Sequence, residues 1–321
     1  LRFNCPYHGE IEEYDDEDYA ASESASGNPV AFDIVHPPEI NQRTRISFPS
    51  TLQEAQAHSK PYAPLNRRNL HYWQGYRWKN DERGPFYPCH HPGITCEEEG
   101  CSCFENNLMC EKFCHCELGC ARKFSGCGCA TAKVKRGQRM MCFDDERCIC
   151  FMMNRECDPD LCSSCGVCEV SDPINRYNES ILKDKCRNAS LQRGVPKRTL
   201  IGNSGIHGFG LYAGENIDMH EFVGEYKGEI ITKEEGERRG AVYEHQKLSY
   251  LFTLNTTQEI DSTYFGNKIR FINHAGNNKN NLYPRIFFVG GVHRIALFAE
   301  RPIRTGEELF FDYGPMFPGE Q

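Results

Sequence analysis

The pattern of hydrophobic and polar positions changes near Leu191, where short runs of apolar and β-branched residues begin. These runs are separated by glycine, asparagine or charged turns, which is typical of strands joined by short connections. The predicted strands are Leu211–Ala213, Phe222–Tyr226, Glu229–Ile231, Tyr250–Leu254, Ile286–Val289, Ile295–Ala299 and Leu309–Phe311. Many short strands with few helices predict a compact, mostly β fold with small helices.

One helix is predicted between these strands. Thr232 is followed three residues later by Glu235, which is the spacing of a capping box at a helix N-terminus. The charged stretch after this pair predicts a helix that ends near Tyr243.

Residues 85–190 have a different composition, with little apolar material besides cysteine. Of the 19 cysteines in the chain, 17 lie between Cys89 and Cys168. No secretory signal is present and a long region without cysteine follows Cys186, so zinc-bound thiolates explain this density better than disulfides. Metal coordination would then supply most of the folding free energy of these residues.

The spacing of these cysteines predicts two trinuclear zinc clusters. Neighbouring C-x-C pairs suit clusters in which some thiolates bridge two zinc ions, and three four-coordinate zincs need only nine ligands if three of them bridge. The first nine candidates are Cys89, His91, Cys96, Cys101, Cys103, Cys110, Cys114, Cys116 and Cys120. The next nine are Cys127, Cys129, Cys142, Cys148, Cys150, Cys157, Cys162, Cys165 and Cys168.

Charge narrows the choice of partners. The net charge of −8 argues against a general nucleic-acid binder and is compatible with a basic partner. One local exception lies between Ala121 and Met141, where six basic residues and no acidic residue occur. This basic segment either contacts DNA phosphates or only solubilises the module. The six residues are Arg122, Lys123, Lys133, Lys135, Arg136 and Arg139.

Neither a membrane segment nor a signal peptide is predicted. No apolar run is long enough to cross a bilayer. The chain begins at Leu1 without a methionine, which predicts a piece of a longer protein. Residues 1–84 are predicted to be an irregular segment or linker.

Four stretches after residue 200 contain candidate chemistry. A glycine pair alone marks any tight turn, so none of the four is decisive by itself. In this order behind the cysteine-rich module, they resemble the SET domain of the Enhancer-of-zeste methyltransferases, and the module resembles the CXC domain of that family, as in a divergent, fungal-like member. The stretches are His207-Gly208-Phe209-Gly210, Glu225-Tyr226-Lys227-Gly228-Glu229, residues 266–274 and residues 306–314.

The resemblance implies both the fold and the activity. It implies a SET-domain β fold with a pseudoknot, preceded by a zinc-cluster CXC module with little regular structure. The implied enzyme is a protein-lysine N-methyltransferase that uses S-adenosylmethionine and acts on histone H3, with lysine twenty-seven as the family's substrate. The implied cofactor-binding residues are Gly208, Phe209, Gly210, Asn273, His274 and Tyr313. The implied catalytic residues, which form an aromatic lysine channel, are Tyr226, Phe252, Phe311 and Tyr313.

Two features remain open at this point. Relatives would place the ninth ligand of the second cluster at Cys186, whereas spacing favours Cys168, and both are candidates. No cysteine follows Cys186, so a zinc-binding cap after the SET domain is not expected. Closure of the site would then depend on the N-terminal segment and on partner subunits, and we expect the isolated chain to be a poor enzyme.

The predicted domains are residues 1–84, an irregular segment that is a candidate for activating the SET domain, residues 85–190, the CXC zinc module, and residues 191–316, the SET domain. By resemblance, the partners are the histone H3 tail and the nucleosome, WD-repeat and zinc-finger subunits of a Polycomb repressive complex, and DNA through the CXC module. The resemblance implies transcriptional repression in the nucleus. Two alternatives stay open: a SET methyltransferase with another protein substrate, and a non-catalytic zinc module that docks on nucleosomes.

Overall fold

The structure is a computed structural model that describes residues 83–116, 120–129, 142–143, 148–162, 164–246, 249–275 and 279–313. The predicted segment 1–84 therefore lies outside the described residues, apart from its last two positions.

The cysteine-rich module has only short elements in its described part. Strands β1 (His90–His91) and β2 (His115–Cys116) form a parallel pair. None of the helices described before residue 190 is longer than five residues, which confirms the prediction of little regular structure. They are α1 (Cys96–Glu99), α2 (Ser102–Glu105), α3 (Ile149–Met152), α4 (Val167–Ser171) and the 3-10 helices Pro173–Asn175 and Glu179–Lys183.

The first of these helices is short because its sequence stops it at both ends. The Thr95 hydroxyl accepts a hydrogen bond from the Glu98 amide at 3.2 Å, and the Glu98 carboxylate accepts one from the Thr95 amide at 3.0 Å. This is a complete capping box. Gly100 ends the helix in the left-handed region at φ 64°.

A five-stranded sheet forms the centre of the region after residue 190. Its order is β5–β11–β10–β12–β9. The pair β10 and β11 is an antiparallel hairpin that turns at Gly290 and Gly291, both at positive φ, as a two-residue turn between twisted strands requires. The strands are β5 (Phe222–Tyr226), β9 (Asn273–His274), β10 (Leu282–Val289), β11 (Val292–Ala299) and β12 (Phe310–Phe311).

The last strand, β12, lies between two strands that precede it in the chain. It runs parallel to β9 and to β10, with Phe310 opposite Asn273 and Phe311 opposite both His274 and Leu282. This insertion brings the end of the described chain against the asparagine–histidine pair.

Two smaller antiparallel sheets flank the large one. The first pairs β3 with β4, and the second has the order β6–β8–β7. Short helices also occur here: α5 (Ser190–Arg193) and the 3-10 helix Lys268–Phe271. The strands are β3 (Thr199–Asn203), β4 (Phe209–Ala213), β6 (Glu229–Thr232), β7 (Leu251–Thr253) and β8 (Gln258–Asp261). The mostly β fold with small helices is confirmed.

The predicted helix is α6 (Lys233–Gln246), which continues three residues beyond the predicted end. Its capping box is only half formed. The Thr232 hydroxyl accepts a hydrogen bond from the Glu235 amide at 3.3 Å, but the Glu235 carboxylate binds Arg238 and Arg239 instead of turning back. These two ion pairs add support along the helix surface.

The cysteine module and the sheet share one hydrophobic core. Phe287, Ala296 and Phe298 of the sheet are buried in the same cluster as Cys127, Cys157 and the other thiols that follow in the module. A second core fills the other side of the sheet around Leu211, Ile295 and Leu297. No helix in the described part of the chain is long and apolar enough to cross a membrane.

Candidate functional site

The first nine predicted metal ligands come together around three overlapping positions. Cys120 completes the set, because its sulfur lies 3.5 Å from that of Cys96. Three residues, Cys89, Cys96 and Cys110, belong to more than one position, as bridging thiolates must. The three groups, each with ligand atoms within 4.8 Å of one another, are Cys89, Cys103, Cys110 and Cys114; Cys89, Cys96, Cys110 and Cys116; and Cys89, His91, Cys96 and Cys101.

The structure distinguishes His91 from its neighbour as the histidine of this set. His90 is exposed, whereas His91 is buried. The His91 Nδ1 lies 3.1 Å from the Ile94 carbonyl oxygen, and its Nε2 is buried without a hydrogen-bond partner among the described residues. A ring held through one nitrogen, with the other nitrogen facing thiols, suits zinc ligation.

The later cysteines form a second set with the same plan. Cys127 and Cys157 are shared between two groups of four: Cys127, Cys150, Cys157 and Cys162; and Cys127, Cys142, Cys148 and Cys157. The thiol of Cys129 lies within reach of Cys127 and Cys148.

Cys168 and Cys186 have opposite surroundings. Cys186 is fully buried, and its thiol lies within hydrogen-bonding reach of Cys142, Cys157 and Cys165. Cys168 is exposed on α4. Spacing alone favoured Cys168 because the distance between cysteines along the sequence does not reveal that the chain returns to the cluster after the 3-10 helices. The placement supports Cys186 as the ninth ligand.

Two of the six residues in the basic segment bind backbone carbonyls around the first cluster. Arg122 is buried and donates hydrogen bonds to the Cys103 and Leu108 carbonyls, and Lys123 donates one to the Cys114 carbonyl. The other four basic residues lie outside the described residues.

The four predicted catalytic aromatic residues form one continuous row. The ring of Tyr226 lies 5.3 Å from that of Phe252, which lies 5.9 Å from Phe311, which in turn lies 4.7 Å from Tyr313. His274 continues the row at 5.5 Å from Tyr313. Four of these rings come from β5, β7, β12 and β9, and Tyr313 follows β12 by two residues, so the insertion of β12 joins them.

Both tyrosine hydroxyls in this aromatic row donate to the backbone. The Tyr226 hydroxyl donates to the Tyr250 carbonyl at 2.8 Å, and the Tyr313 hydroxyl donates to the Ile272 carbonyl at 2.6 Å. Burial raises the pKa of both phenols well above the usual tyrosine range, and the nearby Tyr250 raises both further. Both side chains are therefore neutral at physiological pH.

The predicted cofactor residues meet the aromatic row at Tyr313. The Asn273 side-chain amide donates to the carbonyls of His207 at 3.2 Å and Phe209 at 3.0 Å, which fixes the glycine-rich turn against β9. The His274 Nδ1 accepts a hydrogen bond from the Tyr313 amide at 3.2 Å.

The two glycines of this turn have different surroundings. Gly208 has φ +49°, and a Cβ placed there would meet no atom within 4 Å, so its surface faces open space. At Gly210 a Cβ would lie 2.2 Å from a Glu308 carboxylate oxygen. Gly208 therefore suits close approach of a ligand, whereas the space beside Gly210 is filled by the Glu308 side chain. The Phe209 ring beside them is 59% exposed.

Three residues at the site were not singled out from the sequence: Tyr250, Ser262 and Ile272. Tyr250 and Ile272 contribute backbone carbonyls, and the Ser262 hydroxyl lies within hydrogen-bonding reach of Tyr226. A backbone acceptor has no side-chain signature, so no sequence signal could have identified Ile272. Tyr250 stood at the start of a predicted strand, where its aromatic character was the available signal.

Comparison with known proteins agrees with this geometry. Residues 208–314 match the SET domain family, and residues 126–167 match the CXC domain family. The histone-lysine N-methyltransferase EZH2 of Chaetomium thermophilum is 43% identical over 246 residues, which cover 73% of this chain and 16% of that protein. The chain belongs to the Enhancer-of-zeste family. The predicted family is thereby confirmed.

Solved structures give the same result for the fold. The C. thermophilum polycomb repressive complex 2, in an autoinhibited conformation bound to S-adenosylmethionine, matches with a TM-score of 0.68 and 36% identity, covering 83% of this chain and 36% of that chain. The same complex with H3K27me3 and H3K27M matches with a TM-score of 0.69 and 35% identity, over 84% and 35% of the respective chains. This Enhancer-of-zeste chain thus spans well under half the length of the relatives it matches.

Proposed function

We propose that this chain is the catalytic segment of a histone-lysine N-methyltransferase that uses S-adenosylmethionine. The observation that supports this most strongly is the aromatic row, which ends at Tyr313, where the asparagine–histidine pair and the glycine-rich turn meet. The row suits a lysine side chain and the turn suits the cofactor, so the two would meet at Tyr313.

The aromatic row would prepare the substrate amine. Methyl transfer is an in-line displacement, which needs a neutral amine held at the right angle more than it needs a strong acid or base. Burial among Tyr226, Phe252 and Phe311 excludes water and disfavours the charged ammonium form of a lysine. Ring faces also attract methylated ammonium groups by about 0.5–2 kcal/mol.

The two phenols would orient the amine rather than deprotonate it. Each hydroxyl donates a hydrogen bond to a backbone carbonyl, so its oxygen lone pairs remain to accept a hydrogen bond from the amine N–H. Their raised pKa values keep them neutral, which excludes a phenolate base near pH 7. Two acceptors at fixed positions would turn the nitrogen lone pair toward the methyl group.

The cofactor would lie against the glycine-rich turn. Its sulfonium supplies an activated methyl group. The open face at Gly208, the exposed Phe209 ring and the polar groups of Asn273 and His274 would hold its parts, while Asn273 keeps the turn in place. Gly210 would act indirectly by letting Glu308 pack beneath the turn.

Zinc would be structural. The two nine-ligand sets are almost entirely buried, and their ligands fill every position of two three-zinc clusters, which leaves no open coordination site for a substrate. The first set would be Cys89, His91, Cys96, Cys101, Cys103, Cys110, Cys114, Cys116 and Cys120, and the second would end with Cys186.

The substrate and partners follow from the relatives. Homologues occur in polycomb repressive complex 2 assemblies, one of them with H3K27me3 and H3K27M. We extend this to lysine twenty-seven of histone H3 in nucleosomes, to WD-repeat and zinc-finger partner subunits, to transcriptional repression and to a nuclear location. Contact of the CXC module with DNA would involve the four basic residues at positions 133–139.

The test combines cofactor binding with product analysis. The chain, alone and assembled with partner subunits, is titrated with S-adenosylmethionine by calorimetry and then incubated with nucleosomes, whose histones are analysed by mass spectrometry. Methylation at H3 lysine twenty-seven is the expected result. Methylation only at other proteins would support the alternative substrate, and failure to bind the cofactor in either form would mean a non-catalytic docking module.

A further inference from the structure

A cavity of about 450 Å³ lies between the second cysteine cluster, α5 and the large sheet, away from the aromatic row. Part of its wall is apolar and is formed by Phe143, Phe222 and Phe298. The Phe298 ring lies 5.1 Å from the Phe143 ring and 5.8 Å from the Phe222 ring. This volume is typical of small-ligand sites, which combine apolar walls with a few polar groups.

The lining of the cavity also carries an excess of positive charge. Two of its cations are already paired: Lys197 with Glu221 at 2.8 Å, and Arg198 with Glu215 at 3.7 Å. The remaining cations are Lys183, Arg187 and Arg193, and the one further carboxylate is that of Glu179. No ion pair of these three cations occurs among the described residues.

Arg193 is the most unusual of these side chains. Its Nε and Nη2 atoms are buried, and neither has a hydrogen-bond partner among the described residues. Burial lowers the pKa of Arg193, and Glu179 only partly offsets that effect. Two guanidinium nitrogens that are removed from water without a partner are costly, and a bound oxyanion would supply the missing hydrogen bonds in the forked geometry that arginine prefers.

We propose that this cavity binds a small amphipathic anion, an apolar group bearing a phosphate or carboxylate, with Arg193 as the principal contact. The phenylalanine wall would receive the apolar group, while Lys183 and Arg187 would add charge around the oxyanion. Because the half-buried Arg193 lines a concave site, a small molecule fits better than the backbone of duplex DNA.

A competing explanation is that these cations only neutralise the negative thiolate cluster, since Cys186 also borders the cavity. The two explanations differ in what Arg193→Met does. If Arg193 serves the cluster, its replacement lowers zinc content and thermal stability. If Arg193 instead binds an anion, its replacement removes two buried donors that have no partner, so zinc content is unchanged and the Tm stays the same or rises.

The experiment titrates the full chain, purified with zinc, with phenyl phosphate and benzoate by calorimetry. Inorganic phosphate and benzyl alcohol serve as probes for the separate halves of the ligand. We expect one of the two amphipathic anions to bind more tightly than either half, and Arg193→Met to weaken it about tenfold or more. Arg198→Met, an exposed and paired cation of the same cavity, is the matched control and should change binding little.

Three results would overturn the proposal. The first is no binding of either anion by the parent chain. The second is equal weakening by Arg193→Met and Arg198→Met, which would indicate only general attraction to positive charge. The third is loss of zinc in Arg193→Met.

Discussion

The hydroxyl of Tyr313 sits where three features converge. The hydroxyl donates a hydrogen bond to the Ile272 carbonyl, and the Tyr313 ring contacts the rings of Phe311 and His274. The Tyr313 backbone amide donates a hydrogen bond to the His274 Nδ1. The side chain therefore has its position fixed from three directions before any ligand binds. Such preorganisation is what an orienting residue needs, because the reacting atoms must meet within a narrow range of angles.

Tyr313→Phe should reduce methyl transfer about a hundredfold while leaving cofactor binding nearly unchanged. The variant keeps the ring contacts but loses the acceptor for the amine, and misorientation alone is worth about that factor. The loss of one hydrogen bond should cost about 1 kcal/mol of unfolding free energy. Turnover on an H3 peptide, cofactor affinity and Tm are the measurements.

Tyr283→Phe is the matched control for this variant. Its hydroxyl lies 3.1 Å from the His220 Nδ1, outside the aromatic row. If both variants lose activity equally, or if Tyr313→Phe keeps full turnover, Tyr313 does not orient the amine.

The pH dependence follows from the sign of the phenol shifts. An ordinary tyrosine has a pKa near 10, and burial raises the values of Tyr226 and Tyr313 above it, so both stay protonated to higher pH. The rate constant kcat should therefore rise between about pH 7 and pH 9.5 as the substrate lysine loses its proton, without a fall caused by phenol ionisation. A decline below pH 9 in a chain that remains folded would contradict this account.

At the scale of elements, the glycine-rich turn depends on a strand that is distant in sequence. Asn273 on β9 donates to two carbonyls of the turn. Asn273→Ala would remove both hydrogen bonds, each worth about 1 kcal/mol, and let the turn move. We expect S-adenosylmethionine to bind about tenfold more weakly, measured by calorimetry.

Asn216→Ala is the control for the asparagine variant. The Asn216 side-chain oxygen Oδ1 accepts hydrogen bonds from the Thr305 amide and hydroxyl at an exposed turn. It should leave cofactor affinity unchanged. Unchanged affinity in Asn273→Ala as well would show that the turn does not hold the cofactor.

The second cysteine cluster closes only when the chain returns to it after α4. We expect about six zinc ions per chain in the parent, since two clusters of three would form. Cys186→Ser should lose zinc and lower the Tm, because it removes a buried ligand, whereas Cys168→Ser should retain the parent zinc content. Elemental analysis of both variants decides between them, and the reverse pattern would favour simple spacing.

Strand prediction succeeded where burial follows a simple pattern and failed where it does not. The strands at Phe222–Tyr226 and Ile295–Ala299 lie in the large sheet, and their apolar runs were recognisable. Strand β3 was missed because Leu200 and Ile201 are both largely exposed, so no alternation marks it. Strand β8 was missed because it is rich in polar and acidic residues and is held by pairing with β6 and β7.

The candidate site shows a similar division. Side chains within motifs, such as Tyr226, Asn273 and Tyr313, could be named from the sequence with the help of resemblance. Their contacts could not, because the Tyr250 and Ile272 carbonyls depend on how three separate segments meet. The choice between Cys168 and Cys186 also required tertiary structure, since both fit the ligand count.

At the scale of the whole molecule, the zinc module and the sheet are packed together around one hydrophobic core. The module packs its thiol-rich core directly on Phe287 and Phe298, and the buried Glu156 carboxylate accepts hydrogen bonds from the Leu191 and Gln192 amides at the start of the SET region. A destabilising substitution in the module should therefore also alter the sheet that positions the aromatic row.

A buried ion pair links the two cysteine segments next to this sheet. The Arg155 guanidinium binds the Glu111 carboxylate through two hydrogen bonds of 2.6 and 2.8 Å, with the two side chains only 5% and 2% exposed. Arg155 also stacks over the Phe124 ring at 3.3 Å, and its backbone pairs with Phe288 of β10. Glu111 belongs to the first cysteine segment and Arg155 to the second, so the pair fixes their relative position.

Arg155→Met should be strongly destabilising because it leaves Glu111 buried without its partner, a change worth about 3–5 kcal/mol. The expected fall in Tm is roughly 10 °C. Adding Glu111→Met should recover most of that loss, because the remaining side chains are apolar and no charge is stranded. Arg238→Met, which breaks an exposed pair on α6, is the control and should change the Tm little. Zinc content is measured in parallel, so that the loss of a metal cluster is not mistaken for the loss of the pair. If the double variant is as unstable as Arg155→Met, the link depends on the packing of Arg155 against Phe124 and Phe288 rather than on its charge.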